Sequence, residues 1–520
     1  MLPPTDAPDS MSRRRFLHAT AASVLTAAVA PARGTPARAA AARPAPQTAD
    51  SGFRELDAKI QAGMARYGIP GVAVGVLAHG REYVRGYGVT NVDYPVPVDG
   101  DTLFRIASTT KTFTGTTVMR LVEQGTLDLD ATVRTYLPDF QTADPSVAAR
   151  VTLRQLLNHS AGWRGDDFED TGPGDDALAR YVVGMARLPQ LTPLGTVFHY
   201  NNAAVVLAGH VLEAATGSTY ERTIREQLLE PLGLAHSFFF SDEIVGFNVA
   251  ASHAVVDGQP VVRPAFWRVP RSLHPTGGLI SSARDQLQYA RFHLGDGTAP
   301  DGARLLSEAS LVAMRSNPGP GGTEVVELDG MGVTWMLRPS AEGVQIVEHG
   351  GKWEGQISGF LMVPERGFAF TVLTNSEGGG KLVDELTTDD WALRRFAGVS
   401  NLPAVPRALS PGELAPYEGR YVFQVIGADG AAVDVLVELR GDQGQLHKTQ
   451  TIGIPPLDLS PTDPARNPVE ESRLAFYRDD FVLVLDATGQ PVGTRADFVR
   501  DANGRVAWLR LGGRLYQHIG

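Results

Sequence analysis

The sequence predicts an α/β protein in which a mixed antiparallel sheet, flanked by helices and interrupted by an inserted helical subdomain, is followed by a small all-β barrel. Two β-type regions, 71–88 and 344–375, enclose a mainly helical stretch from Lys111 to about residue 330. The C-terminal region instead carries short alternating strands between glycine-rich turns. The most economical arrangement is one sheet built from distant parts of the chain, with the helical subdomain between them.

The N-terminus has the composition of an export signal. Three arginines at 13–15 precede a mildly apolar run at 19–30, and Ala37-Arg38-Ala39 fits a cleavage site. Paired arginines in this position resemble the twin-arginine signal. The run is too short and too rich in alanine to span a membrane. We therefore expect residues 1–39 to be a signal peptide and the protein to be periplasmic or extracellular; the alternative is a disordered basic tail.

The next region, residues 40–51, is rich in alanine and proline and is predicted to be a linker to a domain at 52–400. Two β-type runs around His79-Gly80 predict a hairpin. Another hairpin is predicted at 357–375, with its turn at 364–367. Helices are predicted where apolar residues recur every three or four positions. These predicted helices are 53–67, 152–159, 175–188, 203–217, 219–233 and 383–397.

A second proline-rich linker is predicted at 401–411, and a separate domain at 412–520. Residues 433–440 alternate between apolar and polar side chains, as a half-buried strand does. Turn signals recur at short intervals, the last of them at Gly512-Gly513. This spacing is typical of a small antiparallel barrel or sandwich.

Composition excludes several classes of function. The net charge of −11 argues against a nucleic-acid-binding protein, whose surface is normally basic. The chain has no cysteine, which excludes disulfides, thiolate catalysis and zinc–sulfur sites. It also has no H-E-x-x-H motif and no G-x-S-x-G motif, so we expect no metal, no cofactor and no α/β-hydrolase fold. His159 lies at a predicted helix end and is expected to have a capping role.

Ser108 and Lys111 are spaced to lie on one face of a helix. A serine hydroxyl needs a base to become nucleophilic, and a partly desolvated lysine beside it can serve because burial lowers its pKa. The helix dipole favours negative charge at the same end. The alternative is a helix cap followed by an ordinary lysine, because a single S-x-x-K is a weak signal.

Tyr200 and Asn202 form a Y-x-N sequence just before a predicted helix. A tyrosine can relay a proton to a leaving group, and an asparagine can hold a substrate amide. The alternative is a buried tyrosine with a helix cap at Asn201 or Asn202.

His349, Gly350 and Gly351 end a predicted strand. Two glycines allow a substrate backbone to approach and pair along the strand. The alternative is a bulge in an edge strand.

In this chain order, S-x-x-K, Y-x-N and H-G-G resemble the serine β-lactamase and penicillin-binding-protein superfamily, whose other members carry S-D-N and K-T-G as the second and third motifs. The variant is similar to the branch of class C β-lactamases, D-peptidases, D-aminopeptidases and related esterases. Two further stretches, LLNHSAGW at 156–163 and PTGGLISSARD at 275–285, are typical of that branch. The resemblance covers residues 53–400. The C-terminal region is similar to lipocalin-like domains attached to some D-aminopeptidases.

The resemblance implies a role for each catalytic residue. Ser108 would be the acylated nucleophile and Lys111 its partner base, while Tyr200 would act as acid or base on the leaving group. Whether Lys111 or Tyr200 deprotonates Ser108 stays open. The backbone N–H groups of Ser108 and Lys352 would form the oxyanion hole.

The resemblance also implies that Asn202 and the strand at His349, Gly350 and Gly351 bind substrate. H-G-G lacks the ammonium and hydroxyl groups with which K-T-G can hold a substrate carboxylate. Arg271 or Arg284 could compensate for that loss. Without compensation, substrates that have no free C-terminal carboxylate are favoured.

We therefore expect a secreted, metal-independent serine hydrolase that acts through an acyl-enzyme on a small-molecule or peptide substrate, most simply a D-peptidase or a D-aminopeptidase. The alternatives are an esterase, a weak class C-like β-lactamase and a catalytically silent penicillin- or ligand-binding protein. No membrane span is predicted, and the sequence leaves open whether the chain forms oligomers.

Overall fold

The computed structural model describes residues 49–316, 318–453, 469–486 and 488–520. It confirms the predicted fold class, with an eight-stranded antiparallel sheet between layers of helices followed by a closed eight-stranded barrel. The signal peptide predicted at 1–39 lies outside the described residues, and export stays a prediction. In the described ranges, no helix combines the length and the hydropathy needed to cross a bilayer.

The helices follow the predicted pattern with two differences. The first begins at Ala49 and so includes the last three residues of the predicted linker 40–51. The predicted helix 383–397 is interrupted near Asp390, whose positive φ of 58° is incompatible with a continuous α-helix. The α-helices are α1 Ala49–Tyr67, α2 Thr110–Glu123, α3 Pro145–Ala148, α4 Leu153–Leu157, α5 Ala177–Gly184, α6 Asn202–Thr216, α7 Tyr220–Ile224, α8 His274–Gly277, α9 Ala283–Leu294, α10 Glu308–Ala313, α11 Gly379–Leu386 and α12 Pro411–Leu414.

The strands of the first domain come from both ends of its sequence, as predicted. They are β1 Gly71–Ala78, β2 Arg81–Gly88, β3 Phe104–Arg105, β4 His253–Val256, β5 Gln259–Val262, β6 Ile280–Ser281, β7 Gly322–Thr323, β8 Glu327–Leu328, β9 Gly330–Met331, β10 Met336–Arg338, β11 Ile346–Glu348, β12 Gly351–Trp353, β13 Gln356–Val363 and β14 Phe368–Thr374. The main sheet has the order β2-β1-β14-β13-β11-β10-β9, and the short β12 also pairs with β13.

The central strands of this sheet are apolar on both faces because helices cover both faces. On one face, Val72 and Val74 of β1 pack in one cluster with Leu56 of α1 and Leu382 of α11. Ala73 points to the opposite face and joins the larger cluster that contains residues of α9. Every side chain of β13 and β14 is buried. Such burial makes the sheet a rigid support for the segments at its edge.

The barrel confirms the expected C-terminal architecture. On β16, Val433, Val435, Val437 and Leu439 are buried alternately, as one inward face requires. The barrel strands are β15 Gly419–Ile426, β16 Ala432–Asp442, β17 Gln445–Gly453, β18 Val469–Arg478, β19 Phe481–Leu485, β20 Pro491–Arg500, β21 Val506–Leu511 and β22 Arg514–His518.

Backbone hydrogen bonds join the barrel to the first domain. Phe168 N donates to Ile426 O at 2.9 Å, which extends the end of β15 by one pairing. On the other side, Arg495 N donates to Val325 O at 2.9 Å. Between them, Tyr200 N donates to Gly513 O, also at 2.9 Å. The turn between β21 and β22 is thereby held against the Y-x-N motif.

Candidate active site

Ser108 lies in a single 3₁₀ turn, Ala107–Thr109, that leads directly into α2. Ala107 has a positive φ of 46°, a region that residues other than glycine seldom adopt. Backbone strain of this kind persists where the surrounding structure imposes it, and it is common at functional sites. The turn presents the half-buried Ser108 at the positive end of the α2 dipole.

Lys111 lies one turn further along and is fully buried. Its Nζ is 3.1 Å from Ser108 Oγ and donates to Thr276 O at 2.8 Å. Burial lowers the pKa of Lys111 well below its usual range, and Arg514 lowers it further while Asp166 opposes the shift. A neutral amine that donates to Thr276 O has its lone pair available for the Ser108 hydroxyl proton.

Tyr200 forms the opposite wall of the site. Its ring centroid lies 5.0 Å from Lys111 Nζ and 4.4 Å from Arg514 Cζ, and its hydroxyl hydrogen-bonds to Ser108. Burial raises the pKa of Tyr200, an effect that Arg514 and the bond to Ser108 only partly oppose. The phenol therefore stays protonated at neutral pH, which suits an acid better than a base.

Asn202 begins α6, and Asn201 caps this helix by accepting a hydrogen bond from Ala204 N at 2.8 Å. Both polar atoms of the Asn202 amide form hydrogen bonds. Its Nδ2 donates to Asp166 Oδ1 at 2.7 Å, and its Oδ1 accepts from Thr276 Oγ1 at 2.7 Å. An amide has two N–H groups and two lone pairs, so one of each remains for a substrate. The helix cap at Asn201 therefore does not exclude the predicted substrate contact of Asn202.

The H-G-G segment lies directly against the nucleophile turn. A Cβ placed on Gly351 would lie 2.1 Å from Ile106 O and 2.8 Å from Ser108 N, so this position admits only glycine. Lys352 follows on β12, which pairs along one side with β13. The predicted donors of the oxyanion hole, Ser108 N and Lys352 N, thus lie on adjoining backbone segments.

His349 is buried behind Tyr200, with ring centroids 6.1 Å apart. Its Nδ1 donates to Gly350 O at 2.7 Å, which leaves Nε2 as an unprotonated acceptor. Burial and then the nearby Lys111 lower the pKa of His349 to about 3. The ring is neutral, so it offers no positive charge to a substrate carboxylate.

The arginines considered as compensating cations are engaged elsewhere. Arg271 pairs with Glu221 at 3.0 Å and with Asp175 at 2.7 Å. Arg284 pairs with Asp101 at 2.7 Å, with half of its side chain exposed. The arginine at the site is Arg514, which the barrel supplies.

Arg514 lies at the start of β22, after the Gly512-Gly513 turn. Its Nε donates to Asp166 Oδ2 at 3.1 Å, and its Nη1 lies 3.9 Å from Glu324 Oε1. The sequence predicted the glycine pair only as a turn and gave no indication that Arg514, Asp166 or Glu324 belongs to the site. No motif connects them, because they meet only when the two domains dock. Within the described residues, no cluster of three histidines or acids could hold a metal.

His159 makes contacts beyond those of the helix cap expected from its position. Its ring stacks on Tyr200 with centroids 4.6 Å apart, and its Nδ1 accepts a hydrogen bond from Asn201 N at 3.0 Å. Burial lowers the pKa of His159 well below its usual range, and the nearby Lys111 and His349 lower it further. A neutral ring can lie here without adding charge beside Lys111.

His159→Asn is expected to lower kcat about 10-fold, because the stacking contact and the bond to Asn201 N are lost together. Asparagine tolerates the positive φ of 57° at this position, so the backbone is preserved. The matched control is His293→Asn, which changes another buried neutral histidine that hydrogen-bonds to Thr116 at 3.1 Å. Steady-state kinetics and thermal unfolding distinguish the two variants. Equal kcat losses in both would refute a specific role for His159.

Comparison with known proteins agrees with this geometry. Residues 56–394 match the family model described as Beta-lactamase. The chain is 37% identical over 358 residues to penicillin-binding protein 4 of Amycolatopsis lactamdurans, covering 68% of this chain and 93% of that protein. It is 24% identical over 452 residues to the unguisins hydrolase ungD of Aspergillus violaceofuscus, covering 76% and 78%.

Among solved structures, SurE is similar over both domains, with a TM-score of 0.69, 26% identity, and coverage of 90% of this chain and 99% of SurE. The structure of SurE with D-Leu gives a TM-score of 0.66 at the same identity, with coverage of 90% and 100%. The family model spans more than half of the chain, and the S-x-x-K, Y-x-N and H-G-G residues meet in one site. The chain belongs to the beta-lactamase family, within the superfamily of serine β-lactamases and penicillin-binding proteins.

Proposed function

We propose that the protein is a D-peptidase or D-aminopeptidase that works through an acyl-enzyme on Ser108. The observation that carries this proposal is the 3.1 Å distance between Ser108 Oγ and the fully buried Nζ of Lys111. A buried lysine without a carboxylate partner is held in the form that accepts a proton. A lysine with only a structural role would gain no stability from this position, because burial destabilises its charged form.

The reaction takes place in two steps. Ser108 Oγ attacks the substrate carbonyl carbon while Lys111 Nζ accepts the hydroxyl proton, and the N–H groups of Ser108 and Lys352 bind the oxyanion. The amine then leaves with a proton from Tyr200, and the proton held by Lys111 passes to the Tyr200 phenolate. In the second step, water attacks the acyl carbonyl and gives up its proton to the same groups, which releases the acid and restores Ser108.

The substrate class is supported by the comparisons and by the charges around the site. One relative is named a penicillin-binding protein, and a structural neighbour was solved with D-Leu. His349 is neutral, and the positive charge of Arg514 is shared with Asp166 and Glu324. Among the residues that the structure describes, the site therefore has no unpaired cation of the kind that strict carboxylate recognition requires. Peptides and amides of D-amino acids are the substrates that fit these properties.

A substrate panel on residues 40–520 tests the proposal. It compares anilides of D- and L-amino acids, D-Ala-D-Ala peptides, nitrophenyl esters and a chromogenic cephalosporin, with intact-mass detection of the acyl adduct. We expect D-configured amides to exceed their L-isomers by more than about 100-fold in kcat/KM, because discrimination acts on the transition state. We also expect an adduct on the native protein and none on Ser108→Ala. Equal rates for both enantiomers, or an adduct on Ser108→Ala, would contradict the proposal.

A further inference from the structure

Asp166 is a buried acid outside the recognised motifs, and it lies where the two domains meet. Only 1% of its surface is exposed. Its Oδ1 accepts a hydrogen bond from Asn202 Nδ2 at 2.7 Å, and its Oδ2 accepts one from Arg514 Nε at 3.1 Å. One carboxylate thus bonds at the same time to the Y-x-N motif and to the barrel.

These bonds continue to the nucleophile. The backbone carbonyl of Thr276 accepts a hydrogen bond from Lys111 Nζ at 2.8 Å. The Thr276 hydroxyl, Oγ1, donates a hydrogen bond to Asn202 Oδ1 at 2.7 Å. Lys111, Thr276, Asn202, Asp166 and Arg514 therefore form one continuous polar chain. Buried polar groups that lose a partner are strongly destabilised, so each member restricts the next.

The position of Asp166 depends on the barrel through the backbone as well. Ile426 N donates to Asp166 O at 2.9 Å. The preceding Gly165 allows a close approach, since a Cβ there would lie 2.7 Å from Tyr200 O and 2.8 Å from Asn201 Cα. The segment is therefore held between β15 of the barrel and the Y-x-N loop.

We propose that Asp166 is a positioning residue that fixes the orientation of the Asn202 amide and ties it to Arg514, so that substrate binding through Asn202 depends on the docked barrel. The inference rests on the proposed function, because it takes Asn202 to contact the substrate amide. Asp166 makes no direct hydrogen bond to Ser108 or Lys111, although its charge raises the pKa of Lys111. A small acylating or phosphonylating reagent does not use Asn202, so its reaction with Ser108 is expected to depend on Asp166 much less than substrate turnover does.

The neighbouring residue provides a matched control. Asp167 is also buried, with 2% of its surface exposed, and it pairs with Arg187 at 2.9 Å. Asp167→Asn removes a buried acid from the same segment without touching Asn202 or Arg514. A general loss of stability at the domain interface would affect both variants, whereas a positioning role affects Asp166→Asn alone.

The test measures kcat and KM for a D-amino-acid anilide, the rate of labelling by a fluorophosphonate, and thermal unfolding. For Asp166→Asn we expect kcat/KM to fall between about 10-fold and 100-fold, the range for a lost hydrogen bond to a charged group. We expect KM to carry most of the loss, with labelling within about threefold of the native rate, since Asn202 acts in binding the substrate amide. Asp167→Asn should leave both rates unchanged.

A double-mutant cycle with Arg514→Gln gives a second measurement. If Asp166 acts by joining Arg514 to Asn202, the two residues act as a unit. The loss of kcat/KM in the double variant should then be no larger than the loss in the more impaired of the two single variants. Losses that simply multiply would overturn the inference. If Asp166→Asn does not fold, Asp166→Glu takes its place: it keeps the charge, moves the carboxylate by one methylene and should show the same rise in KM.

Unchanged kinetics in Asp166→Asn would overturn the inference, as would equal losses of turnover and labelling. A failure of the proposed function would give a different result: the native protein would be unlabelled at Ser108 or inactive on D-configured substrates. A native protein that is labelled and turns over, with a kinetically silent Asp166→Asn, contradicts the positioning role alone.

Discussion

Lys111→Met is expected to slow the acylation of Ser108 by about 10³- to 10⁴-fold, because the variant removes the group that accepts the hydroxyl proton. Methionine has a similar length and no charge, so the buried site stays filled. The measurement is single-turnover acylation by a D-configured substrate, followed by intact mass. The matched control is Lys59→Met, a partly exposed lysine on α1 whose partner is Glu385 at 2.8 Å.

The pH dependence gives a second test of the same assignment. Burial lowers the pKa of Lys111 in the folded protein. The amine is therefore a base above this lowered pKa, and kcat/KM should fall as the pH is reduced through it. In Lys111→Met this acid limb should disappear from whatever activity remains. Acylation within about 10-fold of the native rate would identify Tyr200, rather than Lys111, as the base, since a general base contributes more than that.

Gly513→Val is expected to lower kcat/KM about 10²-fold, because a displacement of about 1 Å in a catalytic group can have this effect. A Cβ on Gly513 would lie 3.0 Å from Tyr200 Cβ and 3.3 Å from Glu324 Cγ, and the branches of valine would extend beyond it. Since Tyr200 N also donates to Gly513 O, the clash would displace the tyrosine that we expect to protonate the leaving group. Steady-state kinetics on a D-amino-acid anilide give the measurement.

Gly512→Val is the matched control. Both glycines have positive φ, 53° at Gly512 and 75° at Gly513, so both variants strain the turn. A Cβ on Gly512 would meet only Arg514 Nη1, at 4.0 Å, and would not contact Tyr200. The difference between the variants therefore reports on the contact with Tyr200. Equal losses in both would show that the turn matters only for the stability of the barrel.

Local patterns were sufficient for much of the fold. The hairpin around His79-Gly80 became β1 and β2, and the alternating run at 433–440 became part of β16. These elements depend on neighbouring residues and on one repeating period, which can be read directly from the chain. The helix predicted at 383–397 was broken because Asp390 adopts a positive φ that no periodicity reveals.

The proposed reacting groups could be predicted from the sequence for the same reason. Ser108 and Lys111 are one helical turn apart, and Tyr200 and Asn202 are two residues apart, so each pair is encoded in a short stretch. Their order along the chain, together with H-G-G, was sufficient to indicate the family. The charged side chains that shift the pKa values of Lys111 and Tyr200 could not be predicted in this way.

Arg514 and Asp166 are 348 residues apart in the sequence, yet they form one buried ion pair beside the active site. Arg271 and Arg284 were the arginines considered from the sequence as compensating cations, but each pairs with a nearby acid. Motif spacing therefore predicts the nucleophile and its partner base, because local backbone geometry brings Ser108 and Lys111 together. The charges around the substrate depend on how the barrel docks, because that contact depends on the shapes of two surfaces that no single segment encodes.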